Sequence, residues 1–307
     1  MSIKTLVESL PPELGLVLVD VGSAGGIHSR WEPFGRRISS LLFDPLDESG
    51  SREGDRYFPF ALGSGAGNGV LFETKRASMT STLAPNEELL KRFWDKPAHT
   101  VIKDCHSISF QALDQLVTDN GITPDIMKID VQGGEWSVLQ GAERTLSMHI
   151  FMVEIEVSFI ERYSGLRTFS QVLPAMESRG FDLIDVSRIK RYRYKNRFGI
   201  APLPKGPPKR AGRIAFCDAL FLLEEKKLME RILSQSAEMG SVLALKVILS
   251  LLAYEKPDIA AWVFEQTEKL YSPSIHKALV AYFAQWTPPI VSKGGAVNLW
   301  KKLTSMV

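Results

Sequence analysis

Four carboxylates and one glycine-rich turn carry most of the chemistry this chain can offer. Asp20 stands near the end of the apolar run LVLVDV, two residues before Gly22 in VDVGSAGG. Asp44, with Pro45 after it, follows the run ISSLLF; Asp130 ends DIMKID, ahead of Gln132 and Gly133-Gly134; Glu156 lies in HIFMVEIEVSF. In an open parallel sheet the carboxyl ends of the strands form the ligand crevice, so acids at those ends face one pocket. A carboxylate there can accept hydrogen bonds from a ribose diol, counter a cationic ligand, or take a proton from a nucleophile.

The turn narrows the ligand. Glycines permit positive φ and keep side chains out of the space between backbone and ligand. A dinucleotide fingerprint needs G-x-G-x-x-G after the strand, whereas Gly22, Gly25 and Gly26 give G-x-x-G-G. Asp20 beside the turn also repels a pyrophosphate. It suits a ligand with a positive group, of which the ammonium of S-adenosylmethionine is one. No GxxxxGK[ST] run is present, which argues against a nucleoside triphosphate. Asp44 is placed to bond both ribose hydroxyls, a device shared by nicotinamide enzymes.

Asp130 and Glu156 are the expected catalytic pair. A neutral alcohol is a poor nucleophile and needs a base, and these two acids end neighbouring strands. Either one takes the proton of an acceptor hydroxyl, or both hold a divalent cation. The chain has no compact His/Asp ligand spacing, so no metal is assigned. His28, in IHSRW, and His106 are alternative bases, although a lone histidine is more often packing or solvated. Glu154 is expected to be buried or paired, Glu135 to occupy the first turn of a helix, and Trp31 and Trp136 to belong to the core.

The elements that position these residues alternate short apolar runs with amphipathic segments, the pattern of a mostly parallel sheet covered by helices. Strands are expected over Leu16–Val21, Ile38–Phe43, Tyr57–Leu62, Asp125–Asp130, Ile150–Ile155, Phe181–Val186 and Arg213–Leu223. Helices are expected over Glu87–Trp94, Phe110–Thr118, Glu135–Leu146 and Phe169–Arg179, and Gly67-Asn68-Gly69 reads as a hairpin turn. Strand signals end near residue 225. The remainder reads as helices over Leu228–Ser236, Val242–Ala253, Ile259–Leu270, Ile275–Ala284 and Ala296–Leu303, suited to dimer formation or to covering the site. The expected division is a sheet domain over 1–224 and a helical domain over 225–307.

Composition removes several classes. A net charge of +2 gives no global field for nucleic acid. Cys105 and Cys217 lack CxxC spacing and the N-terminus lacks an apolar stretch, which predicts a reduced, cytoplasmic protein. The longest apolar run, Val242–Ala253, is broken by Lys246 and is too short for a bilayer. Arg188–Arg213 holds ten Lys or Arg and no acid, with Tyr192 and Tyr194 interleaved. Arg191, Arg193, Lys195 and Arg197 in this run are expected to recruit an anionic acceptor. An anionic membrane surface competes for the same charges, giving peripheral membrane contact; the plain structural alternative is a solvated loop.

The ordered set VDVGSAGG, LLFDP, STLAPN, ALDQLV, IMKIDVQGGEWSVLQGA, EVSFIERYSGLRTF and FCDALFLL resembles the FkbM family of S-adenosylmethionine-dependent methyltransferases, over roughly residues 15 to 224. Its most specific part is K-x-D-x-Q-G-x-E-x-x-x-L-x-G-A, Lys128 through Ala142. The resemblance implies an α/β fold of the class I methyltransferase (Rossmann-like) kind, with a seven-stranded, mostly parallel sheet and an antiparallel last strand, plus the helical extension. It implies donor contacts by Asp20, Gly22, Ser23 and Gly26, ribose contacts at Asp44-Pro45, and further donor contacts from Ser81 and Gln132. It also directs attention to Asn86, Asp130, Glu156 and Asp218. Asp44 stands where many members have glutamate, and Ala24 where many have asparagine. The activity implied is O-methylation of a carbohydrate, glycan, glycolipid or related metabolite. The rival readings are a donor-binding scaffold, an RNA methyltransferase and a nicotinamide-dependent oxidoreductase.

Overall fold

The computed structural model describes residues 1–46, 54–200 and 210–286. The expected helix Ala296–Leu303 and the 201–209 part of the basic run lie outside these residues. These described residues form two compact units, one within 16–28 and 38–228, the other within 1–15, 29–37 and 229–286. The second unit thus takes in two N-terminal pieces besides the tail helices.

The first unit is built on a seven-stranded sheet. Its strands are β1 (Leu16–Val21), β2 (Ile38–Phe43), β3 (Arg56–Phe58), β7 (Ile126–Ile129), β8 (Met152–Ser158), β9 (Phe181–Tyr192) and β10 (Arg213–Leu223). The order is β3-β2-β1-β7-β8-β10-β9, with β10 antiparallel to both of its neighbours and the other pairs parallel. The central strands β1, β7 and β8 are buried almost throughout, as strands covered on both faces must be. The order reverses at β1, where β2 lies to one side and β7 to the other. That reversal opens a crevice at the carboxyl ends.

A second sheet was not expected from the sequence. It contains β4 (Ala61–Leu62), β5 (Gly67–Thr74) and β6 (Ile102–Gln111), ordered β4-β6-β5. The run expected as one strand over Tyr57–Leu62 is therefore divided between two sheets, β3 in one and β4 in the other. Gly67-Asn68-Gly69 is part of β5 rather than a hairpin turn, and its partner is β6, more than thirty residues on. Phe110 explains the glycine: a Cβ on Gly69 would stand 2.6 Å from its ring. β6 is mostly solvated and alternates weakly, so the period-2 signal that reveals strands is faint. Because Phe110 and Gln111 belong to β6, the expected helix begins only at Leu113.

The helix expected over Glu135–Leu146 is two short ones, Glu135–Gln140 and Glu143–Met148. Gly141 lies between them, where a Cβ would stand 1.9 Å from the carbonyl oxygen of Gly63. The close approach of β4's exit fixes that break. The helix expected over Glu87–Trp94 extends only over Glu87–Leu90, capped by Asn86.

The second unit is helical. Its α-helices are Ile3–Ser9, Ala237–Ala253, Pro257–Thr267, Pro273–Phe283 and the part of Glu225–Leu233 from Met229 on, with a 3-10 segment at Ser29–Arg37. Ala237–Ala253 is buried on most sides, as its apolar sequence requires. Ser236 and Ser272 cap two of these helices by accepting from the amides of Met239 and Ile275. Trp31 is a core residue, edge-on to Phe34 and to Tyr254 at 5.3 and 5.8 Å between ring centres. Among the described residues no helix is long and apolar enough to cross a membrane.

Candidate active site

A cleft of about 990 Å³ opens at the carboxyl ends of β1, β2 and β7. The glycine turn forms one side. Gly22, Gly25 and Gly26 all have φ near +80°, where other residues are strained. The amides of Gly22 and Ser23 donate to the carbonyl of Phe43, and the amide of Asp130 donates to that of Val21. The three strand tips are thus tied together. Gly22 permits this closeness, since a Cβ on it would lie 2.0 Å from the Asp130 carbonyl oxygen.

Of the residues expected to bind a donor, Gly22, Gly26, Asp44, Pro45 and Gln132 line the cleft, as do Ala24 and His28. Asp44 accepts from the Leu46 amide at 2.9 Å, and Tyr57 donates its hydroxyl to the Asp44 carbonyl. Asp20, Ser23 and Ser81 are buried and lie outside the lining. Ser81 accepts from the Leu83 amide at 3.0 Å. Asp20 is in register with Lys128 on β7, and Lys128 with Glu154 on β8. Three charged side chains therefore share one face in a row across the sheet. Lys128 donates to Asp20 at 2.9 Å. Burial works against its charge, but Asp20, Asp130 and Glu154 together hold its pKa above the ordinary value. Lys128 meets one oxygen of Asp20, and the other oxygen is buried without a hydrogen-bond partner.

The two expected catalytic acids have different surroundings. Asp130 lines the cleft, with Gln132 donating to one oxygen at 2.7 Å and Arg188 3.7 Å from the other. Glu156 does not reach the cleft. It is buried and paired with the equally buried Arg162 at 2.6 Å, and burial raises its carboxyl above the usual range despite that partner. Arg162 also donates to Ser158 at 3.0 Å and stands 3.5 Å from the Gln132 carbonyl oxygen. A polar chain thus links Glu156 through Arg162 and Gln132 to Asp130. Gln132 holds its place in it with φ of +57°.

Several residues gained their place only through the fold. Arg188 sits at φ +49° where β9 slips register against β10, Ser187 pairing with Asp218 and Lys190 with Phe216. Such bulges re-aim side chains. Here the guanidinium reaches Asp218 at 2.6 Å and borders the cleft. Arg167 and Trp136 border it too, with the guanidinium carbon 5.6 Å from the centre of the indole; Trp136 is a wall of the cleft rather than core. Of the expected basic residues, Arg191, Arg193, Lys195 and Arg197 are absent from the lining, and among the described residues of that run Arg188 alone belongs to it. Asn86 is a helix cap, and His106 pairs with Glu73.

Glu135, at the first position of its helix, accepts from the amides of Val131 and Gly133 at 3.3 and 2.9 Å. Burial, with Glu156 nearby, pushes its carboxyl from 4.5 up to about 7. The folded chain then keeps a proton that the unfolded chain releases at lower pH. This contribution to stability is complete below pH 4.5 and is lost as pH rises through about 7. Between pH 5 and 7.5 it should cost about 2 to 3 kcal/mol. Denaturant midpoints at the two pH values should fall less in Glu135→Gln than in wild type. Equal falls would remove this role.

The donor set suits a nucleoside. A carboxylate stands at the tip of β2 for a ribose diol, Phe43 and Leu62 give an apolar wall, and the volume is at the upper end for small-molecule sites, roughly 300 to 1,000 Å³. Residues 35–183 match the family model described as the methyltransferase FkbM domain. The crystal structure of methyltransferase FkbM from Methylobacillus flagellatus KT is similar over 72% of this chain and 48% of that one, with 14% identity and a TM-score of 0.36. The chain thus spans about half the length of that protein. No curated protein matches it. The match takes in β2 and β7 with the loops that follow them, so residues 35–183 of this chain are similar to the FkbM methyltransferase domain.

Proposed function

We propose that this chain transfers the methyl group of S-adenosylmethionine to a hydroxyl oxygen of a carbohydrate or related metabolite. The observation that carries the reading is the placement of Asp44 and Asp130, at the tips of β2 and β7, on the two sides of one cleft around the glycine turn. When bound, S-adenosylmethionine supplies an activated methyl carbon and a good leaving group. The protein's task is then alignment and proton removal. Asp44 and Pro45 hold the ribose end, and Gly22 and Gly26 let the backbone approach the ligand.

Asp130 takes the acceptor's proton at the oxygen that Gln132 leaves open. Glu156 acts through Arg162 and Gln132, and is a positioning residue. Arg167 at the rim favours an acceptor with an anionic group, because guanidinium pairs well with carboxylate and phosphate, whereas Arg188 is held by Asp218. A cleft near 990 Å³ has room for donor and acceptor together.

Calorimetry tests the donor directly. S-adenosylhomocysteine should bind the intact chain and NAD should not. Asp44→Ala should weaken binding by about 10- to 100-fold, the value of hydrogen bonds to a charged group. No heat from S-adenosylhomocysteine, or equal affinity in the variant, would remove the reading.

A further inference from the structure

The three-stranded sheet carries a cluster that the methyl-transfer reading does not use. Glu73 on β5 is in register with Asp104 on β6, and His106 lies two residues beyond Asp104. Residues directly opposite, and residues two apart on one strand, share a face of a sheet. The pairing therefore brings one imidazole and two carboxylates to a single patch. One ligand atom from each lies within 4.8 Å of the other two. No local sequence spacing reveals this, because Glu73 is 31 residues from Asp104 and only the β5–β6 register joins them.

We infer that Glu73, Asp104 and His106 form a site for a divalent transition-metal ion of the zinc class at the rim of the cleft. Mixed imidazole and carboxylate ligands suit this class better than magnesium or calcium, which take oxygen ligands. His106 Nε2 and Glu73 Oε2 are already 2.8 Å apart; neighbouring ligand atoms on one tetrahedral zinc ion are about 3.3 Å apart, given bonds of about 2.0 Å. The ion takes the place of the shared proton. Asp104 is exposed and closes the remaining gap by side-chain rotation.

The surroundings fit a ligand set held from outside. Lys103 donates to Glu73 Oε1 at 2.7 Å, and the Cys105 amide donates to Asp104 Oδ1 at 2.8 Å. Each carboxylate is oriented through one oxygen and offers the other, as second partners do around bound metals. Two carboxylates with a neutral imidazole balance a doubly charged ion. Three protein ligands leave a coordination position for water or for an oxygen of a bound molecule. Of the three, Glu73 alone also lines the cleft.

The test uses the full, tag-free chain stripped of metal. Equilibrium dialysis against Zn²⁺ should load one ion per chain at micromolar metal. Co²⁺ should give visible d–d bands without the intense charge-transfer absorption of a thiolate ligand. His106→Ala and Asp104→Asn should each weaken binding at least about 10-fold, and Cys105→Ser should leave it unchanged. Circular dichroism confirms that each variant is folded. Should His106→Ala unfold, Asp104→Asn and His106→Gln decide. Less than one ion per chain, a thiolate band, or wild-type affinity in Asp104→Asn would overturn the assignment. None of these readouts depends on methyl transfer.

Discussion

Asparagine at position 130 should lower turnover by about 10²- to 10⁴-fold, the usual worth of a positioned general base. The substitution keeps the size of the side chain and can still accept the 2.7 Å hydrogen bond from Gln132. What it removes is the ability to take a proton at Oδ2, the oxygen that Gln132 does not bond. Donor affinity should stay near wild type, because the proposed donor contacts are made by Asp44 and the glycine turn and not by Asp130. The measurement is methyl release from labelled donor over a panel of acidic and neutral sugars, with S-adenosylhomocysteine affinity determined separately. Glu156→Gln gives the contrast. It should cost less in turnover and more in stability, since Glu156 acts only through Arg162. Wild-type turnover in Asp130→Asn would end the assignment of Asp130 as the base.

The second large effect is on folding. Arg162→Met should destabilise the sheet unit by about 3 to 5 kcal/mol, the cost of leaving a buried charge without its partner. Arg162 and Glu156 are both almost wholly buried. Arg162 also lies over the Phe216 ring, 4.1 Å from its centre, and donates to Ser158. At about 2 to 4 °C per kcal/mol for a unit of this size, the melting point should fall by roughly 10 °C. The double variant Arg162→Met with Glu156→Leu should recover much of the loss, because it removes both charges. A single variant within about 1 kcal/mol of wild type would show that the pair contributes little. So would a double variant no better than the single one.

The sequence located the strands that build the cleft because their signals are local. β1, β2 and β10 have the bounds that their apolar runs and flanking turns suggest, and the shorter β7 lies inside its expected range. The acids Asp44 and Asp130 follow from the same signals, since a strand's carboxyl end is known once the strand is known. Gly22 was legible for a similar reason. A glycine after an apolar strand marks a turn whose backbone must come close to something.

What the sequence left open depends on neighbours far along the chain. Asp20 and Glu156 read as cleft acids, yet cross-strand register gives one to Lys128, and the return of the chain at residue 162 gives the other to Arg162. A carboxylate's partner is set by which strands lie side by side, and no local pattern encodes that. The same holds for β6, whose weak alternation becomes a strand only through pairing with β4 and β5. It holds again for Arg188, which a slip between β9 and β10 turns toward the cleft. Local hydrophobicity determined where the strand ends are; long-range pairing decided which charges meet there, because register is fixed by burial of whole strand faces and not by the residues that end up in contact.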